Sequence, residues 1–245
     1  GYGCCVASDG ALYVGGVNPG SLQRFDPVTG QLEDLGGSQF GAQYIWATAA
    51  FGDKVYGGCY PTCSVLEYDV KTMELRDLGK MDEHEQYVRS ICVDPQGRVW
   101  AGTGNKAHLV VLDPATGERH DVLPAEMRDN SCCYDLATSG KYVLGSILYD
   151  GTMAVFDSEA EQLVRVVPRP EGDLMWMNCH GAREGQAYLY ASPSGSLYRY
   201  DIEGDKLTLL ADSLGQCEQV VDARYVHGID DQEYFVYDLQ EGREL

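Results

Sequence analysis

The chain has 245 residues, 44% hydrophobic and 23% charged, which is enough for one sizeable core and ordinary for a globular protein. Its 38 acidic against 18 basic residues give a formal net charge of −20. That balance argues against a nucleic-acid partner, whose phosphates need a basic stripe, and against adsorption to an anionic membrane surface. The sequence offers no run of about 18 apolar residues, so no transmembrane helix is expected. No signal peptide is read at the N-terminus, and the compartment stays open.

Taken in chain order, the sequence repeats. Leu12-Tyr13-Val14 forms a short β-rich run ended by Gly15-Gly16; Ser21 to Phe25 is a second, ended by Asp26-Pro27-Val28-Thr29-Gly30; Gln31 to Leu35 is a third. In Asp-Pro-x-x-Gly the Asp side chain caps the turn, Pro presets φ and Gly supplies a positive φ at the exit. Between β-rich runs this predicts a hairpin. The arrangement returns at Val55 to Leu75, Val99 to Gly117, Tyr142 to Asp157 and Tyr188 to Asp201. The turn Asp recurs at 26, 69, 113, 157 and 201, at spacings of 43, 44, 44 and 44 residues. A fixed period in this range with no helical stretch points to an all-β propeller of four-stranded antiparallel blades.

Two columns support the assignment. Leu22, Val65, Leu109, Met153 and Leu197 stand four residues before each turn Asp; Phe25, Tyr68, Leu112, Phe156 and Tyr200 stand one before. These positions lie on opposite faces of a strand. Apolar residues on both faces imply a sheet sandwiched between two others, the situation of a propeller blade.

The stretch VYGGCYPTCSVLEYDVKTMELRDLGKM resembles a kelch-type propeller repeat, with its double glycine, aromatic-Asp turn and closing Leu. The likeness extends over nearly the whole chain to propeller repeats in general, WD40-like and quinoprotein-like among them. The double glycine persists only in the first two units, and the Trp expected after the turn is replaced by Leu32, Leu75, His120, Leu163 and Leu207. The resemblance brings no catalytic residue with it.

One propeller domain is expected over 1–245, with repeats at 1–40, 41–83, 84–128, 129–172 and 173–215 and a partial one at 216–245. First strands are read at Gly3 to Ala7, Tyr44 to Ala50, Tyr87 to Val93, Cys132 to Thr138, Met175 to Gly181 and Glu218 to Tyr225. In the sixth unit a turn is placed at Gly228 to Gln232, a second strand at Tyr234 to Tyr237, and a polar tail after it. The favoured reading is a fragment of a seven- or eight-bladed ring; an open or partner-completed ring and a six-bladed ring with a degenerate last blade are the alternatives.

Nine cysteines include two adjacent pairs, Cys4-Cys5 and Cys132-Cys133, whose members point to opposite faces of a strand. Cys59-Tyr-Pro-Thr-Cys63 could hold a local disulfide or two free thiols. Zinc-finger spacing, GxSxG, HExxH, P-loop, EF-hand and Rossmann patterns are all missing, so neither metal nor cofactor is expected.

Propellers bind ligands at the channel mouth, where first strands begin. The residues at those entries are Gln43, Tyr44 and Trp46; His84, Glu85, Tyr87 and Arg89; Asp129, Asn130 and Tyr134; Trp176, Asn178 and His180; Glu218, Gln219, Asp222 and Arg224. Tyr44, Trp46, Tyr87, Arg89, Trp176 and Asn178 are the candidate ligand contacts: rings stack on sugar faces and polar groups fix hydroxyls or carboxylates. Each aromatic could instead pack between blades. His84 reads as a solvated loop residue, and His108, His120 and His227 have no recognisable partners.

Two functions are expected. The first is a non-catalytic ligand-binding or protein-interaction module of a larger protein, its partner a small molecule, a glycan or a protein. The second is a carbohydrate-active propeller enzyme, such as a polysaccharide lyase acting on a uronate-containing glycan. Its base would be Tyr134 or His180, with Arg89 neutralising the carboxylate.

Overall fold

The computed structural model describes residues 3–147, 153–167, 170–171, 176–183 and 185–245, and for 176–183 the backbone alone. Six four-stranded antiparallel sheets account for nearly all regular structure. The first comprises β1 (Cys4–Val6), β2 (Leu12–Gly15), β3 (Leu22–Phe25) and β4 (Leu32–Asp34); the second β5 (Tyr44–Phe51), β6 (Lys54–Tyr60), β7 (Ser64–Asp69) and β8 (Glu74–Lys80). The third comprises β9 (Tyr87–Val93), β10 (Val99–Gly104), β11 (Leu109–Leu112) and β12 (Arg119–Asp121); the fourth β13 (Asp135–Ser139), β14 (Tyr142–Ser146), β15 (Met153–Asp157) and β16 (Gln162–Val167). The fifth comprises β17 (Trp176–Arg183), β18 (Gln186–Ser192), β19 (Ser196–Asp201) and β20 (Lys206–Ala211); the sixth β21 (Gln216–Val221), β22 (Tyr225–Asp230), β23 (Glu233–Asp238) and β24 (Arg243–Glu244). Each sheet runs in sequence order as an up-and-down meander. The fold class is therefore all-β, built from the blades of a β-propeller. Among the described residues no helix is long and apolar enough to cross a membrane.

The chain divides into two compact units, Gly1–Leu136 and Ala137–Leu245. In the first, the second sheet is sandwiched as the two apolar columns require. Leu66 and Tyr68 pack with Tyr13, Leu22 and Ile45 on one side. Val65 and Tyr56 pack with Val88, Val99 and Leu112 on the other. In the second unit the fifth sheet does the same: Leu189 and Tyr200 join Leu144, Met153 and Val155, whereas Tyr190 and Leu197 join Cys217, Val226 and Phe235.

Glycines set how closely neighbouring sheets approach in the first unit. A Cβ on Gly15 would stand 2.1 Å from the Ile45 carbonyl oxygen, one on Gly58 2.7 Å from Val88 Cγ1, and one on Gly102 2.6 Å from Cys133 Cβ. Each glycine ends or nearly ends a second strand, and each neighbour opens the next sheet. The spacing of this column follows the repeat. Backbone hydrogen bonds fasten the same contact: Ile45 N–H donates to Gly16 O at 3.1 Å, and Cys133 N–H to Thr103 O at 2.9 Å.

The turn aspartates act as their pattern predicts. Asp69 Oδ1 accepts from the backbone of Lys71 (2.8 Å) and Thr72 (3.0 Å), and Asp26, Asp113 and Asp157 repeat the arrangement. A cation at the start of the second strand clamps the other oxygen: Lys54 on Asp69 at 2.7 Å and Lys141 on Asp157 at 2.8 Å.

The sixth sheet departs from the sequence reading. Its turn Asp is Asp238, only 37 positions after Asp201. It accepts from the Gln240 and Glu241 backbones and is clamped by Arg224. The first strand ends at Val221, and its turn is carried by Asp222 and Ala223, both at positive φ (52° and 54°). Neither residue is glycine, so the turn signal is hidden. Gly228 is not a turn residue: it sits inside β22, where a Cβ would stand 2.4 Å from the Phe235 ring. The tail read as polar carries the short fourth strand, Arg243–Glu244.

Two predictions follow from these contacts. Gly15→Ala and Gly102→Ala lower stability by about 1–3 kcal/mol each, the usual cost of overpacking, in urea denaturation; an unchanged midpoint contradicts the close approach. The second concerns acid. The Asp69 carboxyl is held at about 2, first by the hydrogen bond from Lys54, and that of Asp238 at about 2, first by the bond from Arg224. Because the folded values lie below the ordinary carboxyl value of 3.8, the stabilisation is complete above that value and lost as pH falls towards 2. An Asp69→Asn, Asp238→Asn double variant therefore loses stability less steeply between pH 4 and 2 than the parent; parallel curves contradict the clamps.

Candidate functional site

The first strands of the second and third sheets begin with the same motif, an aromatic residue followed two positions later by Trp46 or Arg89. In β5 the pairing with β6 runs Ile45↔Cys59 and then Ala47↔Gly58, leaving Trp46 as the extra residue of a β-bulge. In β9 it runs Ser90↔Gly102 and then Val88↔Thr103, leaving Arg89 as the extra residue. Bulges re-aim the side chain they carry. Tyr134 holds the corresponding place in the next repeat, directly after Cys133, which like Ile45 hydrogen-bonds the preceding sheet.

The result is one contiguous group of side chains in the first unit. Tyr44 and Trp46 are stacked, with centroids 5.3 Å apart and planes 8° from parallel. Tyr60, the cross-strand partner of Tyr44, meets it edge-on at 5.4 Å. Tyr87 lies 5.6 Å from Tyr60 and 6.5 Å from Trp46. The Arg89 guanidinium carbon stands 5.2 Å from the Trp46 ring centroid and 4.3 Å from that of Tyr134. At its rim, exposed Asn18 donates from Nδ2 to the Tyr44 hydroxyl at 3.2 Å, and the Tyr87 hydroxyl donates to Asn105 Oδ1 at 2.7 Å. All six members of the group are half-buried, unlike the fully buried Tyr13 and Trp100 of the core. Burial pushes the Tyr87 phenol up from its ordinary value.

Tyr44, Trp46, Tyr87, Arg89 and Tyr134 are thus brought together. Tyr60 was missed by the sequence reading; hairpin register opposite Tyr44 was the signal available. The side chains of Trp176, Asn178 and His180 lie outside the described residues. Other entry residues are structural. Arg224 clamps Asp238, Asp222 forms the β21–β22 turn, and the Asn130 amide donates to Met127 O at 2.8 Å. Glu85 accepts from the Lys106 backbone at 3.1 Å, and His84 is exposed. Two histidines expected to be unpartnered are engaged: His108 Nδ1 is 2.9 Å from Asp121 Oδ2, and His227 bonds the Tyr234 hydroxyl. Cys59 and Cys63 are free buried thiols, each pushed up to about 12 by burial. Among the described residues no group of three or more metal-ligating side chains gathers.

Comparisons with known proteins agree with this architecture. Residues 83–105 match the family model of the two component regulator propeller. Regucalcin of Pongo abelii is 34% identical over 74 residues, which cover 28% of this chain and 24% of that relative. Regucalcin of Danio rerio is 36% identical over 74 residues, 28% of this chain and 25% of that relative. The matched segment spans about a quarter of the length of these curated relatives. A chain from the structure titled "Crystal Structure of Mitotic Checkpoint Complex" superposes with a TM-score of 0.71 at 14% identity, over 94% of this chain and 72% of that one. At that identity the likeness speaks for the fold alone. None of these matches singles out the kelch type. Six up-and-down meander sheets and these similarities together show the fold of a β-propeller built from repeats.

Proposed function

We propose that the chain is a non-catalytic binding module of a larger protein and that the Tyr44–Trp46–Tyr60–Tyr87–Arg89–Tyr134 group is where it takes its ligand. The observation that carries this reading is the half-burial of six clustered side chains. Large rings in this protein are otherwise able to disappear completely into the sheet interfaces, as Tyr13, Trp100 and Tyr200 do. A clustered set that keeps ring surface open, rimmed by the amides of Asn18 and Asn105, suits a ligand with flat apolar faces and hydroxyls around them. A sugar or another small ring-bearing molecule has that form.

The catalytic alternative, a lyase using Tyr134 or His180 with Arg89, draws on one contact, the 4.3 Å approach of Arg89 to the Tyr134 ring. The binding reading is the stronger.

Calorimetric titration of a panel of oligosaccharides tests it. Trp46→Ala and Tyr87→Ala each weaken the best binder by about tenfold or more, the scale of losing an aromatic anchor. Val28→Ala, at a residue 92% exposed on the β3–β4 turn, leaves it unchanged. Equal affinity in all four proteins overturns the assignment. Accumulation of unsaturated sugar from a polyuronate would transfer the site to the catalytic reading.

A further inference from the structure

We infer that the ligand of this face carries a carboxylate beside its ring and that Arg89 is the group that reads it. The inference rests on the binding reading above and adds the chemical class of the ligand.

Arg89 stands apart from the other arginines of the chain. Among the described residues its guanidinium donates no hydrogen bond and meets no carboxylate within ion-pair distance. The contrast with its own kind is sharp. Arg24 holds Asp9 at 2.9 Å, Arg98 holds Asp94 at 2.8 Å, Arg128 holds Asp121 at 3.1 Å, and Arg224 holds Asp238. Arg119, half-buried and likewise without an acid, spends its guanidinium on the carbonyls of Lys80 and Leu78 at 2.6 and 2.8 Å; in a chain with 38 acidic residues, a half-buried arginine with neither kind of acceptor among the described residues is a placed exception. Partly desolvated donors that find no acceptor cost free energy, which an arriving acceptor recovers.

The geometry then limits the acceptor. Arg89 emerges from a bulge and lies over two rings, Trp46 at 5.2 Å and Tyr134 at 4.3 Å. Stacking of this kind engages the faces of the guanidinium plane and leaves its N–H edge for a partner. That edge is a fork which matches the two oxygens of a carboxylate. Beside it the Tyr44–Trp46 stack offers ring surface, and the amides of Asn18 and Asn105 offer polar contacts. A planar anion attached to a hydroxylated ring, a sugar acid, satisfies all three features at once.

The test compares trigalacturonate with its neutral amide, which has the same shape without the charge, by calorimetry on the intact chain. The acid binds, and the amide binds more weakly by about tenfold or more, the scale of a charge-assisted hydrogen-bonded pair. Arg89→Gln removes the difference between the two probes while leaving amide binding in place. Arg89→Lys, a charge without the fork, falls between. Equal affinity of acid and amide for the parent protein, with both lost in Trp46→Ala, overturns the carboxylate and leaves the binding face standing. If neither probe binds, the carboxylate inference falls, and the reading of the face as a sugar site falls with it. The comparison of the two probes needs no variant, so a folding defect in Arg89→Gln does not rescue the inference.

Discussion

Everything in the first unit depends on how closely the second strand of one sheet is approached by the first strand of the next. Gly15, Gly58 and Gly102 remove the side chain that would hold them apart, and Ile45, Val88 and Cys133 fill the space. Where the backbones meet, Ile45 and Cys133 donate across the gap to Gly16 and Thr103. A first strand pinned at one residue has little freedom at the next. That next residue is Trp46, Arg89 or Tyr134, and in β5 and β9 it is the extra residue of a bulge. The packing constraint and the candidate site are thus consecutive positions of one repeat: the pin buries one side chain, and the bulge after it presents the other.

The same economy governs charge. An excess of acid would crowd any compact chain of this size with repulsion. Much of the carboxylate is used locally. Turn aspartates accept backbone N–H groups, and lysines or arginines at the start of the second strands clamp several of them. Asp94, fully buried, accepts from Arg98 and from the indole of Trp100. Against this pattern, Arg89 stands over the rings of Trp46 and Tyr134 with no acid beside it among the described residues.

The sequence was most legible where the physics is local. The Asp turn needs one side chain and two backbone donors within three residues, and five such turns could be dated by spacing alone. The two-faced strands were equally plain, because Val65 and Tyr68 can only be buried together in a sandwiched sheet. The sixth unit was misread for a physical reason. Its turn at Asp222-Ala223 adopts positive φ without glycine, and Gly228, the one glycine nearby, serves a close approach to Phe235 instead. Its turn Asp arrived early, so period alone could not find it. At the site, the entry residues Tyr44, Trp46, Tyr87, Arg89 and Tyr134 could be named from their place at the starts of first strands. What could not be read was the bulge that aims them, since a one-residue register shift leaves no compositional mark, or the joining of Tyr60, which depends on pairing across a hairpin.

The most direct test of the account is a spectrum of the tryptophan indole N–H groups during titration with trigalacturonate. Trp46 belongs to the clustered face, whereas Trp100 is fully buried and its indole donates to Asp94 at 2.9 Å. The account predicts that the Trp46 resonance moves with saturation and the Trp100 resonance stays where it is. A Trp46 signal that does not respond while ligand binds contradicts it, because the binding surface would then lie elsewhere on the protein.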